Sequence, residues 1–200
     1  KKLLPDPPIA SIGYQASIVI TPQQEADMDI KATLNNLLIP YTSNYAGTLL
    51  PGIREYTVTP GEKTTTISGK GKAGLKQEEN YYFFYLPVCY KGITGKSYAY
   101  YNTSRSKNLY LPASVDENYS YDIQLPENLT LCTPIQEKKI DNPIGSFKIT
   151  LTSEGSSLHI ELALQIKKQL ITPAEYPAFR SLITEWTDRT RKPILFKTVQ

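Results

Sequence analysis

Between residues 158 and 166 every second side chain is a large aliphatic: Leu158, Ile160, Leu162, Leu164 and Ile166. A period of two gathers all five on one face of an extended strand, whereas a helix would scatter them around its axis. The intervening His159, Glu161 and Gln165 then share the opposite, solvated face. Residues 147–152 alternate as well, and Ser153-Glu154-Gly155-Ser156-Ser157 separates the two runs. Two alternating runs joined by a short polar link containing Gly predict a hairpin.

The same period recurs upstream. Ile12, Tyr14, Ala16, Ile18 and Ile20 form one row, and Met28, Ile30, Ala32 and Leu34 a second. Tyr119, Tyr121, Ile123 and Leu125 alternate with Ser120, Asp122 and Gln124. Residues 56–59 and 64–68 are rich in β-branched side chains and flank Pro60-Gly61, a turn signal. Residues 81–90 are the most apolar segment, which predicts a central strand. Pro87 cannot donate to a ladder, so a bulge or change of partner is expected near it. Residues 98–102 and 108–111 read as further strands, and residues 40–47 as a loop.

One stretch breaks the period. After Thr172-Pro173-Ala174-Glu175, the residues Tyr176, Phe179, Leu182, Ile183 and Trp186 recur at helical spacing. Thr172 suits the cap, Pro173 the first helical position, and Glu175 completes a capping box. This predicts a helix over about 172–188, docked by its apolar stripe onto the 158–166 row. A closing strand is expected from Lys192-Pro193 to Thr198.

Together these readings predict a mainly β chain of antiparallel, sandwich-type architecture with one C-terminal amphipathic helix. A proline-rich linker covers residues 1–11. A β lobe over 12–104 and a second over 105–200, carrying the helix, follow, with packing as one domain left open. Composition agrees: 40% hydrophobic and 20% charged residues allow a packed core. Fifteen Tyr and fifteen Pro favour pleated surfaces and turns. A net charge of +3 with scattered Lys and Arg excludes a nucleic-acid footprint. No apolar run reaches the ~20 residues that span a bilayer. The opening Lys-Lys-Leu-Leu-Pro, without an initiating Met, reads as the start of an excised fragment, with any signal peptide upstream.

Residue types suited to chemistry are sparse. Gly69-Lys70-Gly71-Lys72-Ala73-Gly74 matches G-x-G-x-x-G, yet a dinucleotide fingerprint needs a helix after it, and an aromatic strand follows. A glycine loop between strands is the expectation. His159-Ile160-Glu161 matches H-x-E without the P-C-x-x-C that zinc deaminases need. It is the only His in the chain, so His-based metal sites and triads lack material. Cys89 reads as a buried strand thiol and Cys132 as a loop thiol, with a bridge between them left open. No catalytic residue, metal site or cofactor is expected. The aromatics are the remaining resource: Tyr81, Tyr82, Tyr98, Tyr100 and Tyr101, with Arg105 beside them, form the candidate ligand or partner surface. Ordinary sheet packing is the alternative for these rings.

Several words of the chain are more specific. They include Pro60-Gly61-Glu62, Tyr82-Phe83-Phe84-Tyr85-Leu86-Pro87, Ser104-Arg105-Ser106 and Leu109-Tyr110-Leu111-Pro112. Glu117-Asn118-Tyr119-Ser120-Tyr121, Gln124-Leu125-Pro126-Glu127, Ile144-Gly145-Ser146-Phe147 and Ile171-Thr172-Pro173-Ala174-Glu175-Tyr176 follow in order. From about Thr57 onward, roughly 140 of the 200 residues, the chain resembles the C-terminal β-rich region of exported bacterial transglutaminase-like proteins. Those proteins carry a papain-like core upstream of this region. No segment here matches the core's Cys, His and Asp motifs, so no catalytic role is carried onto Cys89 or His159. The resemblance implies a non-catalytic accessory module that packs against, or orients, the transglutaminase-like domain of the same polypeptide. It also implies a periplasmic or cell-surface setting in a Gram-negative bacterium. A β-sandwich binding polysaccharide or peptide through its tyrosines is the alternative.

Overall fold

A computed structural model describes residues 9–35, 46–89, 104–111 and 113–199. The alternating rows become long strands: β1 (Ile9–Ile20), β2 (Glu25–Asn35), β3 (Ile53–Pro60) and β4 (Thr64–Gly74) in the first half. A single helical turn, α1 (Ala46–Leu49), precedes β3, so the expected loop holds helix at its end. Short strands β5 (Lys76–Glu78), β6 (Tyr81–Phe84) and β7 (Leu109–Tyr110) come next. The second half contributes β8 (Ser114–Gln124), β9 (Leu129–Leu131), β10 (Gln136–Asn142), β11 (Gly145–Glu154), β12 (Ser157–Ile166) and β13 (Leu170–Ile171). Helix α2 (Tyr176–Arg191) and strand β14 (Ile194–Thr198) close the chain.

Eight of these strands form one sheet in the order β10-β11-β12-β8-β1-β2-β4-β3. Its pairings are antiparallel except β1 with β8, which run parallel from Ile9↔Ser114 to Val19↔Gln124. Strands from both sides of residue 104 therefore share one hydrogen-bonded sheet. The expected hairpin is β11–β12, closed by Gly155 at a φ of 58°, the left-handed conformation that Gly adopts without a Cβ penalty. A four-stranded sheet, β5-β6-β14-β9, and the β7–β13 pair complete the strand content.

Register decides what the large sheet buries. Tyr14, Tyr119, Leu162 and Ile149 line up across β1, β8, β12 and β11, all on the inner face. The inner face packs against the apolar stripe of α2 and residues of the small sheet, such as Phe84 and Phe196, in one core. Trp186, fully buried, reaches across with its ring centroid 5.7 Å from Tyr119 and 6.5 Å from Phe147. The helix packs chiefly on β11 and also touches β12, which carries the 158–166 row: Phe179, Leu182 and Trp186 have no exposed surface, and Leu162 is 1% exposed.

Three local expectations are corrected. The 81–90 segment is a shorter strand than expected: residues 81–84 do form an inner strand, that of the small sheet between β5 and β14, while 85–89 leave the ladder around Pro87. Pro87 explains the exit, since it has no N–H to donate; its carbonyl instead accepts the Tyr121 hydroxyl at 2.7 Å. The helix begins at Tyr176, and Pro177 rather than Pro173 occupies its first turn. Glu175 is the capping residue, and its carboxylate accepts the backbone N–H and hydroxyl of Thr172 at 3.1 and 3.0 Å. The box residues are therefore paired, but one turn ahead of the helix.

The third correction concerns the glycines of 69–74, which lie inside β4 rather than in a loop. β3 slips its register between Ile53 and Glu55, bringing its backbone close to β4. A Cβ on Gly69 would meet the Glu55 carbonyl oxygen at 2.2 Å and the Tyr56 Cα at 2.7 Å. The glycine is present so that a bulged edge strand fits, which is a packing role and not phosphate binding.

Candidate functional site

The outer face of the large sheet carries the solvated half of every alternating row. Cross-strand register sets His159 beside Asp122 on β8, and its Nδ1 lies 2.7 Å from the Asp122 carboxylate. The other ring nitrogen is 3.5 Å from Glu161, which also accepts from Lys148 at 3.1 Å and Thr150 at 3.4 Å. The hydrogen bond the ring donates to Asp122, then that to Glu161, raises the imidazole pKa above its ordinary 6.5 against the opposing effect of burial. Glu161 moves the other way, held below the usual carboxylate range first by Lys148 and then by His159. Flanked by two carboxylates, the ring is engaged on the sheet surface and its protonated form is favoured.

An open groove of about 660 Å³ runs past this network, lined by Ser17, Asp122, Gln124, Thr152, Ser157 and His159 among others. It holds hydroxyls, one amide and charge of both signs. Gln124 accepts from the Ser157 hydroxyl at 2.8 Å. Further along the face, Lys72 pairs with Asp27 at 3.1 Å and Glu25 at 3.7 Å. Such exposed cross-strand pairs are screened by water, so they order the surface rather than hold the fold. Among the described residues no cluster of three or more His, Cys, Asp or Glu is arranged to hold a metal ion.

The candidate aromatic surface divides. Tyr81 is half-buried on β6, with the Lys197 ammonium of the neighbouring strand 5.8 Å from its ring centroid. Tyr82, one residue on, points the other way and is 6% exposed, so its ring belongs to the core rather than to a ligand face. Alternation forces that result: neighbouring residues of one strand cannot share a face. Tyr98, Tyr100 and Tyr101 lie outside the described residues. Arg105 is half-buried with its guanidinium 5.6 Å from the Tyr176 ring centroid, on the first turn of α2.

The cysteines are free thiols, Cys89 fully buried near Tyr14 and Tyr119, and Cys132 half-buried. His159 belongs to the outer face of the sheet and Cys89 to its core, so the two are not paired for nucleophilic chemistry. One core carboxylate escaped the sequence reading: Glu117 is 2% exposed and accepts the Tyr119 hydroxyl at 3.1 Å. Its position two residues before Tyr119, in the same inward row, was the available signal. Burial drives the phenols of Tyr14, Tyr119 and Tyr121 well above their ordinary value, so all three stay protonated.

The fold is therefore that of a mainly β domain with a C-terminal helix over one end of its inner face. Residues 80–196 match the family described as Domain of Unknown Function with solved-structure structure (DUF3858), and the chain belongs to that family. A solved structure presented as "a putative protease" from Parabacteroides distasonis ATCC 8503 is similar in fold, with 25% identity and a TM-score of 0.53. That match covers 86% of this chain and 35% of the other, so this chain corresponds to a minor part of that protein's length. No curated protein matches the chain in sequence. No described helix is long and apolar enough to cross a membrane.

Proposed function

We propose that this chain is a non-catalytic accessory module of a larger exported protein, packing against or orienting a transglutaminase-like catalytic core in the same polypeptide. One observation carries the reading: 86% of the chain aligns within 35% of a longer chain presented as "a putative protease", which leaves most of that protein for other parts. The order of sequence words shared with the tails of exported transglutaminase-like proteins supports the nature of the core. It also supports a periplasmic or cell-surface setting in a Gram-negative bacterium. The surface offered for packing is the β7–β13 pair. Tyr110 and Leu170 are direct cross-strand partners there, and they are 72% and 41% exposed. Two large apolar side chains standing together in water are what an accessory module leaves bare when its partner surface is missing.

The test compares the longer polypeptide with this chain alone by amide hydrogen exchange. Slower exchange around Tyr110 and Leu170 in the longer protein, together with a higher melting temperature of the core, is expected. Identical exchange at both strands and an unchanged core would defeat the reading.

A further inference from the structure

The edges of the two larger sheets are not alike. β5 and β9, at the limits of the small sheet, are three residues long each, too short to template another strand. β10, one edge of the large sheet, carries Glu137, Lys138, Lys139 and Asp141 within seven residues. It is also tied to α2: Lys138 donates to Glu185, Arg189 to Gln136 at 2.6 Å, and the Asn142 amide to the Ala178 carbonyl at 3.0 Å. Charge and helix together blunt that edge.

β3 is the opposite edge, and among the described residues it has a neighbouring strand on one side only. Its register on β4 is broken between Ile53 and Glu55, and Pro60, which has no N–H, ends it. Between the bulge and the proline lies Glu55-Tyr56-Thr57-Val58-Thr59, a regular run with one charge and three β-branched residues. All five residues are exposed or half-buried. Tyr56 and Val58 pack against the margin of the core, while Thr57 and Thr59 are paired with Ser68 and Thr66 of β4 and exposed to solvent.

This window is self-complementary. Turned antiparallel on itself about Thr57, it sets Tyr56 opposite Val58 twice, Thr57 opposite Thr57, and Glu55 opposite Thr59. Aromatic with β-branched and Thr with Thr are favourable cross-strand pairs, and no like charges stand directly opposite. Partners in this register are an even number of positions apart, so residues whose amides face outward meet others that do. A centre on Tyr56 would draw the bulge into the ladder, and one on Val58 would set Pro60 opposite Tyr56.

We propose that β3 pairs with β3 of a second copy of this chain across a two-fold axis at Thr57, joining two large sheets and extending their inner faces through the Tyr56–Val58 contacts. A contact of a surface with itself closes at two copies and does not propagate. β3 belongs to a different sheet from the β7–β13 pair, so the proposal stands or fails apart from the accessory reading.

The purified chain is followed by sedimentation velocity over a concentration series at constant ionic strength, with backbone amide shifts read on isotope-labelled chain. Five residues make a small interface, so a dimer with a Kd of about 0.1 mM is expected, with concentration-dependent shifts at residues 55–59. Thr57→Glu sets two carboxylates face to face and should weaken association about fivefold. Mixing it with an equal amount of Thr57→Lys should restore association, now between unlike copies. Thr57 is exposed and edge strands accept charge, so both variants keep the fold, which circular dichroism checks. A monomer throughout, or shifts at β7–β13 in place of β3, would overturn the proposal. So would an undiminished Thr57→Glu dimer, or a mixture that associates no more tightly than Thr57→Glu alone.

Discussion

Trp186 is where helix and sheet are joined, and replacing it tests the architecture quantitatively. Its indole has no exposed surface and packs against Tyr119 and Phe147. A buried aromatic removes roughly 150–250 Å² from water, worth about 4–6 kcal/mol at ~25 cal/mol per Å². Measured Trp→Ala losses in cores run to ~3–5 kcal/mol, and we expect about 4 for Trp186→Ala. Domains of this size have only ~5–15 kcal/mol in hand, so that variant should sit close to unfolding. Trp186→Phe separates two components of the loss. The indole N–H is buried without a hydrogen-bond acceptor among the described residues, a condition that costs ~1–3 kcal/mol. Phe removes that N–H while giving up part of the ring, and the terms oppose one another. The expected loss is about 1 kcal/mol. Urea unfolding followed by far-ultraviolet circular dichroism measures both variants without the lost fluorophore. A loss below ~1.5 kcal/mol in Trp186→Ala would mean the helix is not held by this contact. Equal losses in both variants would refute the account of the unpaired N–H.

Gly69→Ala should cost about 2–3 kcal/mol, because its Cβ meets the Glu55 carbonyl, while Gly74→Ala, with open space around it, should stay within ~0.5 kcal/mol; thermal melts of the pair decide this. The His159 imidazole should titrate above 6.5, and Asp122→Asn should bring it down, as read by proton NMR. A pKa raised on folding stabilises the protein below the unfolded value of 6.5, and that contribution disappears as pH climbs through the folded value. A His159 titrating at or below 6.5 would remove the Asp122 contact from the account. The Glu175 carboxyl, held down to about 2 first by Lys168 and then by Thr172, gives the opposite sign: its contribution is present above the unfolded value of 4.5 and is lost as pH falls towards 2. Carbon-detected titration finding Glu175 near 4.5 would contradict the paired geometry at the helix start.

Much of this fold can be read from side-chain spacing, because alternation is a local property. Leu158 to Ile166 must share a face whatever they pair with, and Tyr176 to Trp186 must form a stripe once the chain turns helical. The same rule separates Tyr81 from Tyr82, so a surface using both rings was already excluded by their adjacency. Candidate chemistry was legible mainly as residue supply: one His cannot build a histidine cluster. Partner choice was not legible. The parallel union of β1 with β8 joins residues more than a hundred positions apart, and no local pattern in either strand names the other. Gly69 and Gly71 read as a loop until β3 was seen to bulge against them, since close approach belongs to two strands and not to one. Likewise Arg105 meets the ring of Tyr176 only through the seating of α2, whose place depends on the whole inner face. Periodicity determined which side of each segment is buried; the tertiary structure alone decided which segments meet, because burial is encoded residue by residue and pairing is a contest among all the strands at once.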